Sequence, residues 1–92
     1  MIRLLVHGVG DNVAVAVSDI KGRDVARGLN METGEEFEIE SNADIPFGHK
    51  IALMDFKVDD TVIKYDSDIG RVVAEIKKGD HVHVQNVKTK RW

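Results

Sequence analysis

Short apolar runs separated by turn-forming residues make up the pattern along this chain. Residues 13–17 are a continuous run of small apolar side chains and predict a strand buried on both faces. Residues 25–31 and 36–40 flank a four-residue turn and predict a hairpin. Its second strand alternates strictly, with Phe37 and Ile39 on one face and glutamates on the other. Such a charged face is typical of an edge strand.

A second pattern repeats along the chain: an acid, an apolar residue, a lysine, two further residues and an aspartate. It occupies residues 55–60 and 75–80 in the same register, each with a valine two residues farther on, and residues 19–25 form a third copy in which the valine comes one residue earlier. We interpret the copies as three similar corners of one compact β structure with short, regularly spaced strands. The only candidate for a helix, residues 72–76, is short and rich in β-branched residues. The predicted fold class is therefore all-β, with at most one short helical turn.

Length and composition limit the possible classes of protein. The chain has 92 residues, which predicts one domain spanning residues 1–92. It has no cysteine, so disulfides and thiolate metal sites are excluded, and a reducing cytoplasm is the expected location. No segment approaches the length of a membrane span. The net charge of −3 argues against general nucleic-acid binding. Residues 88–92 are basic and end in Trp92, which is typical of a solvated tail or of a contact with a partner.

The stretch with the most candidate chemistry follows Pro46, the single proline. Gly48 permits a tight bend, and His49 and Lys50 come immediately after it, before an apolar run. A neutral imidazole and an ammonium group at the start of a strand can bind and polarise an anionic or hydroxylated substrate. The alternative is that both are ordinary polar residues where a strand begins.

A second candidate is the pair His81 and His83, which a strand would place on one face. This is the geometry of two metal ligands, with a third to come from His7, His49, an acid or another chain. A polar strand face and a contact with substrate are the alternatives. No serine lies in a nucleophile elbow, so covalent acyl chemistry is not expected. So small a domain is more suited to forming one wall of an active site than a complete one.

Five ordered blocks of sequence carry a resemblance to a known family. The blocks are His7 with residues 11–16, then residues 48–53, 62–65, 69–70 and 81–86. In this order they resemble the N-terminal SAF domain of altronate dehydratases, a group that includes galactarate dehydratase and the small subunit of sulfolactate sulfo-lyase. The resemblance covers essentially the whole chain. It implies a β-clip, in which short strands fold on themselves in a compact, pseudo-symmetric body.

The resemblance also implies an activity. The family eliminates water, or sulfite in the sulfolactate case, from a polyhydroxy or sulfonated carboxylic acid, and the sugar-acid dehydratases depend on ferrous iron. We expect iron to be held mainly by a larger partner, with no metal ligand assigned in this chain. His49 and Lys50 belong to both branches of the group and are the expected catalytic residues. The expected substrate-binding residues are His7, Asn12, Tyr65, His81, His83 and Asn86.

Two positions depart from the family pattern. Asp66 follows Tyr65 where glycine is usual, and Gln85 replaces the third histidine of a His-Val-His-x-His-Asn motif. The second change removes one imidazole from a possible three-histidine strand. We expect a small subunit, or a stand-alone SAF domain, that helps a large dehydratase subunit to dehydrate a sugar acid such as altronate or galactarate. The alternatives are a small subunit of sulfolactate sulfo-lyase and a non-catalytic module that binds sugar acids or a cation.

Overall fold

The regular structure of this protein is built from short β-strands, as the sequence predicts. The computed structural model describes residues 1–64 and 67–89, and within them there is no helix that is long and apolar enough to cross a membrane. The strands are β1 (Ile2–Val6), β2 (Val13–Ala16), β3 (Val25–Asn30), β4 (Glu36–Glu40), β5 (Lys50–Ala52), β6 (Thr61–Lys64), β7 (Ser67–Val72), β8 (His81–Val82) and β9 (Val87–Lys88).

The described strands form two curled sheets. One has the order β4-β3-β1-β2-β5-β8, and the other has the order β6-β7-β9. The β1–β3 pair is parallel, and the other pairs are antiparallel. The predicted hairpin is confirmed as β3 and β4, in which Ile39 is buried while the glutamates are exposed. The all-β prediction is also confirmed, since no helical turn forms at residues 72–76.

The repeated pattern produces corners of one shape, and the structure adds a fourth copy to the three predicted. We name them corner 1 (residues 19–24), corner 2 (44–49), corner 3 (55–60) and corner 4 (75–80). In each, the second residue is a buried apolar side chain and the fifth has a positive φ, between 73° and 91°. The buried residues pair through isolated bridges, Ile20 with Ile45 and Phe56 with Ile76. Corners 1 and 2 thus face each other, as do corners 3 and 4.

The aspartates that open corners 1, 2 and 3 each cap the facing corner. The Asp19 carboxylate accepts the Phe47 N–H at 2.8 Å, and Asp44 reciprocates by accepting the Gly22 N–H at 2.9 Å. In the second pair, Asp55 accepts the Lys78 N–H, also at 2.8 Å. These charge-assisted bonds satisfy backbone donors that no strand could reach. At corners 1, 2 and 3 the opening aspartate therefore has a structural role, which is to cap the corner that it faces.

Two apolar clusters form the core, one beside each pair of corners. The first surrounds Leu4, Ile20, Ile45 and Ile51 and packs on the six-stranded sheet. The second contains Phe56 and Ile76 together with valines of the smaller sheet, and it includes Val82 of β8. Strands β5 and β8 therefore lie where the two clusters meet, and the functional candidates lie at one end of these strands.

Candidate functional site

The corners differ in whether the side chain of the sixth residue is bonded to the backbone of its own corner or is available for chemistry. In corners 1, 3 and 4 it is an aspartate, whose carboxylate accepts the backbone N–H of the lysine three residues earlier at 2.8–3.2 Å. Corner 2 has Pro46 at the lysine position and His49 at the closing position. Proline has no N–H to satisfy, so the closing side chain has no backbone partner within the corner. The His49 imidazole is therefore available for contacts with side chains outside corner 2.

Antiparallel pairing of β5 with β8 brings the other two histidines to His49. The register sets Lys50 opposite Val82 and Ile51 opposite His81. One step farther along, His83 comes opposite His49, and their ring centroids lie 4.1 Å apart. The His81 ring lies 5.0 Å from that of His49 and 5.6 Å from that of His83. The predicted same-face placement of His81 and His83 is confirmed, and His49 joins them. We call these three residues the histidine cluster.

A chain of hydrogen bonds orients the histidine cluster. The Gln85 amide nitrogen is a donor only, and it lies 3.2 Å from His81 Nδ1. A neutral His81 then carries its proton on Nε2 and donates it to His49 Nδ1, 2.8 Å away. Asn86 fixes the backbone below, accepting from the His83 N–H at 3.0 Å and donating to the His81 carbonyl at 2.8 Å. Gln85 and Asn86 are thus positioning residues for the histidine cluster.

The surroundings of His81 and His83 favour their neutral forms. Burial lowers the pKa of His81, and the neighbouring His49 and His83 lower it further. Loss of hydration also lowers the pKa of His83, followed by the effects of His49 and Lys50. Each charged ring would face other cationic groups, and no carboxylate within residues 1–64 or 67–89 forms an ion pair with the cluster. Lone pairs are therefore available on His81 and His83 near neutral pH.

Lys50 reaches the same region from the other face of β5. Successive side chains of an extended strand point in opposite directions, so His49 and Lys50 do not form a side-by-side couple. They are linked through His83, which stacks on His49 and lines, together with Lys50, a cavity of about 160 Å³. Burial lowers the pKa of the Lys50 ammonium, and the charge of Lys64 lowers it further.

A larger groove elsewhere on the molecule does not contain these groups. It has a volume of about 370 Å³ and is lined by residues that include Asp11, Glu35, Phe37 and Lys78. None of the histidines lines it. Because its carboxylates would repel an anionic substrate, we place the candidate site at the histidine cluster.

Other residues predicted from the sequence lie elsewhere. His7 follows β1, near the start of β2. His49 lies at the other end of β2, where its backbone carbonyl accepts the Ala16 N–H at 2.8 Å. Asn12 uses both ends of its amide on the β6 backbone, accepting from the Ile63 N–H at 2.7 Å and donating to the Thr61 carbonyl at 3.0 Å. Asn12 therefore joins the two sheets. Tyr65 lies outside the described residues.

The donor set suits a metal ion of the kind that the family resemblance implies. One ring nitrogen from each residue of the histidine cluster lies within 4.8 Å of the others. Neutral imidazole is a good ligand for iron, zinc, copper and nickel. The chemistry of these donors therefore fits ferrous iron. The replacement of the expected third histidine by Gln85 does not remove the triad, because His49 supplies the third ring.

Sequence reasoning missed the positioning role of Gln85 and the existence of corner 2. Gln85 was treated only as a lost imidazole, and no local pattern shows that its amide reaches His81. Corner 2 had a usable signal: Asp44-Ile45 repeats the Asp-Ile of corner 1, with Gly48 at the positive-φ position. The copy was not recognised because Pro46 stands in place of the lysine and His49 in place of the aspartate. These two differences also leave the His49 side chain without a backbone partner in corner 2.

Comparisons with known proteins identify the family of this chain. The model of the altronate/galactarate dehydratase SAF domain matches residues 2–90. The chain is 46% identical over 92 residues to the (2R)-sulfolactate sulfo-lyase subunit alpha of Chromohalobacter salexigens, covering 99% of this chain and 98% of that subunit. It is 54% identical over 57 residues to the subunit of the same name from Paracoccus pantotrophus, covering 62% of this chain and 85% of that sequence.

A longer relative shares the same segment. Altronate dehydratase of Bacillus subtilis is 39% identical over 80 residues, which are 86% of this chain and 15% of that protein. The likeness thus extends to a small part of a much larger dehydratase and to nearly the full length of a small subunit. This chain belongs to the altronate/galactarate dehydratase SAF domain family.

Proposed function

We propose that this chain is the small subunit of a lyase that eliminates sulfite from (2R)-sulfolactate, and that it forms one wall of an active site completed by a larger subunit. One observation carries the choice of substrate: the chain matches 98% of a sulfo-lyase alpha subunit but only 15% of an altronate dehydratase. The sugar-acid substrate preferred from sequence is therefore the less supported of the two. It remains the second candidate because the family includes both.

The proposed reaction defines what the site must supply. A base removes the proton from the carbon that bears both the carboxylate and the hydroxyl. The bond between the next carbon and sulfur then breaks, and its electron pair leaves with sulfite. The enol that remains takes up a proton and becomes pyruvate. Such an elimination needs a proton acceptor near the substrate and cationic groups for its anionic ends.

The described residues match these needs. Lys50 is a partly desolvated ammonium at the cavity that it shares with His83, where a carboxylate or sulfonate would find a cation. His49 and His83 are stacked imidazoles, a side-chain type able to accept or return a proton. An iron ion held by the histidine cluster would supply Lewis acidity toward a substrate oxygen.

Exposed apolar side chains flank the histidine cluster and indicate where the larger subunit covers it. Phe47, two residues before His49, is 68% exposed, and Val84, next to His83, is 78% exposed. Exposed aromatic and aliphatic groups beside a polar site are typical of the buried centre of an interface. Covering them would also exclude water from the site.

The test is to combine the chain with the large subunit and offer both acids. We expect release of sulfite from (2R)-sulfolactate by the mixture and by neither chain alone. Turnover of altronate without turnover of sulfolactate would establish the second candidate instead. Calorimetry with the isolated chain is the control for a binding module, since a subunit should show little affinity for either acid without its partner.

A substitution on the proposed contact face, away from the cavity of Lys50 and His83, separates docking from chemistry. We expect Phe47→Asp to weaken association with the large subunit about 30-fold, the effect of losing an interface anchor worth about 2 kcal/mol. Met31→Asp is the matched control, because Met31 is also exposed (56%) but lies at the end of the β3–β4 hairpin. Equal weakening by both variants would refute this placement of the interface.

A further inference from the structure

The histidine cluster has no evident structural task. Its three rings are only half-buried and belong to neither apolar cluster of the core. Their side-chain hydrogen bonds run among themselves and to Gln85. Basic groups gathered in this way repel one another once protonated, which costs stability. Features that break local rules of stability are expected at functional sites.

We propose that His49, His81 and His83 hold one divalent transition-metal ion within this chain, leaving coordination positions open for a further ligand. The inference deepens the proposed function and rests on it for the role of the ion, since it assigns to this chain a metal site that the sequence led us to expect mainly on the partner. Three protein ligands with a free position are the arrangement of catalytic rather than structural metal sites. The free position would take a carboxylate, hydroxyl or water oxygen.

The distances between the ring nitrogens support this assignment. Metal–imidazole bonds of about 2.0–2.1 Å place the nitrogens of neighbouring ligands about 3.0–3.5 Å apart. The three nitrogens here lie within 4.8 Å of one another, and His49 Nδ1 and His81 Nε2 are only 2.8 Å apart. If the half-exposed rings rotate so that each ring nitrogen moves by about 1 Å, the nitrogen–nitrogen distances reach the range that a bound ion requires. The ion would then take the place of the proton on His81 Nε2, and that proton would move to Nδ1, with the Gln85 amide turned to present its oxygen as the acceptor.

The donor type predicts which ions bind. Imidazole favours Fe²⁺, Co²⁺, Ni²⁺, Cu²⁺ and Zn²⁺, whereas Mg²⁺ and Ca²⁺ prefer oxygen ligands. An acidic surface patch would show the opposite preference. The chain has such patches, for example the glutamates of β4, so competition by Mg²⁺ separates the two kinds of site.

The position of Gln85 allows the proposal to be sharpened. Its amide nitrogen lies 3.2 Å from His81 Nδ1, the place where metal-binding histidines usually have a carboxylate partner. A carboxylate there would hold the proton on Nδ1 and raise the basicity of Nε2. We expect Gln85→Glu to tighten binding of the ion about tenfold.

The experiment is a titration of the full chain with Co²⁺, followed by visible absorption. We expect one ion per chain, unaffected by excess Mg²⁺, and displaced by Zn²⁺. His49→Gln, His81→Gln and His83→Gln should each weaken binding by at least about tenfold. His7→Gln is the matched control, since it removes a histidine that lies at the other end of β2. Circular dichroism melting curves verify that each variant is folded.

Two results would overturn the proposal. One is unchanged Co²⁺ affinity in the three cluster variants, and the other is an equal loss in His7→Gln. Paramagnetic broadening of imidazole resonances in the unsubstituted chain gives an independent answer, since only three of the four histidines should be affected. The titration contains neither substrate nor large subunit, so its failure leaves the sulfite-release assay untouched, and failure of that assay leaves the titration untouched.

Discussion

Corners 2 and 3 have nearly the same backbone but use their sixth residue in opposite ways. In corner 3, Asp60 accepts the Lys57 N–H at 2.8 Å and closes the turn. In corner 2, Pro46 has no such N–H, and the His49 ring contacts the rings of His81 and His83 instead. Both turns still form the same backbone bond, from the sixth N–H to the third carbonyl, at 3.0 Å. One element thus stabilises the fold at one place and presents a reactive group at another.

The comparison predicts opposite effects for the two sixth residues. We expect His49→Ala to lower sulfite release by the complex about 10²–10⁴-fold, the range for loss of a group that transfers protons, and to leave the melting temperature almost unchanged. Asp60→Ala should leave turnover intact and cost about 1 kcal/mol through the lost backbone bond. Steady-state kinetics and thermal melting of both variants test the pair. Loss of activity in both, or in neither, would contradict the division of roles.

Corners 2 and 4 differ in what surrounds the positive-φ glycine. A Cβ on Gly79 would lie 2.5 Å from the Glu40 carbonyl oxygen, whereas one on Gly48 has no neighbour within 4 Å. We therefore expect Gly79→Ala to cost about 2–3 kcal/mol from clash and backbone strain together. Gly48→Ala should cost about 1 kcal/mol from strain alone.

Chemical denaturation of the two glycine variants measures this difference. Gly34→Ala is a suitable control, because the φ of Gly34, +79°, is close to the +85° of Gly48 and no atom lies within 4 Å of the added Cβ at either position. Equal losses at Gly48 and Gly79 would mean that the packing of corner 4 against β4 contributes nothing.

Local pattern was sufficient to predict part of this architecture. Strict alternation predicted β4, and the period of two placed His81 and His83 on one face. The contact of His49 with His83 depends on the pairing of β5 with β8, two strands about thirty residues apart in the sequence. Corners 3 and 4 lie in the segment that joins these strands. Asn12 carries the same lesson: its amide looked suited to substrate, but tertiary pairing with Ile63 uses it. Long-range register is not encoded in any short window.

The smallest predicted effect tests how His49 became available. If the missing N–H of Pro46 is what leaves the sixth position without a structural task, then a carboxylate there should stabilise corner 2 only when the N–H is restored. We expect His49→Asp to add no stability in the natural background. It should stabilise the Pro46→Ala background by about 1 kcal/mol. A double-mutant cycle followed by chemical denaturation isolates this coupling from the entropic effect of losing proline.

Corner 3 offers the mirror experiment. Lys57→Pro removes the N–H that Asp60 accepts, so the cost of Asp60→Ala should disappear in that background. Zero coupling at both corners would mean that the closing carboxylates are only solvated surface groups, and the contrast between Asp60 and His49 would lose its physical basis. Coupling of about 1 kcal/mol at both would show that loss of a single backbone donor frees a side chain for chemistry while the turn is retained.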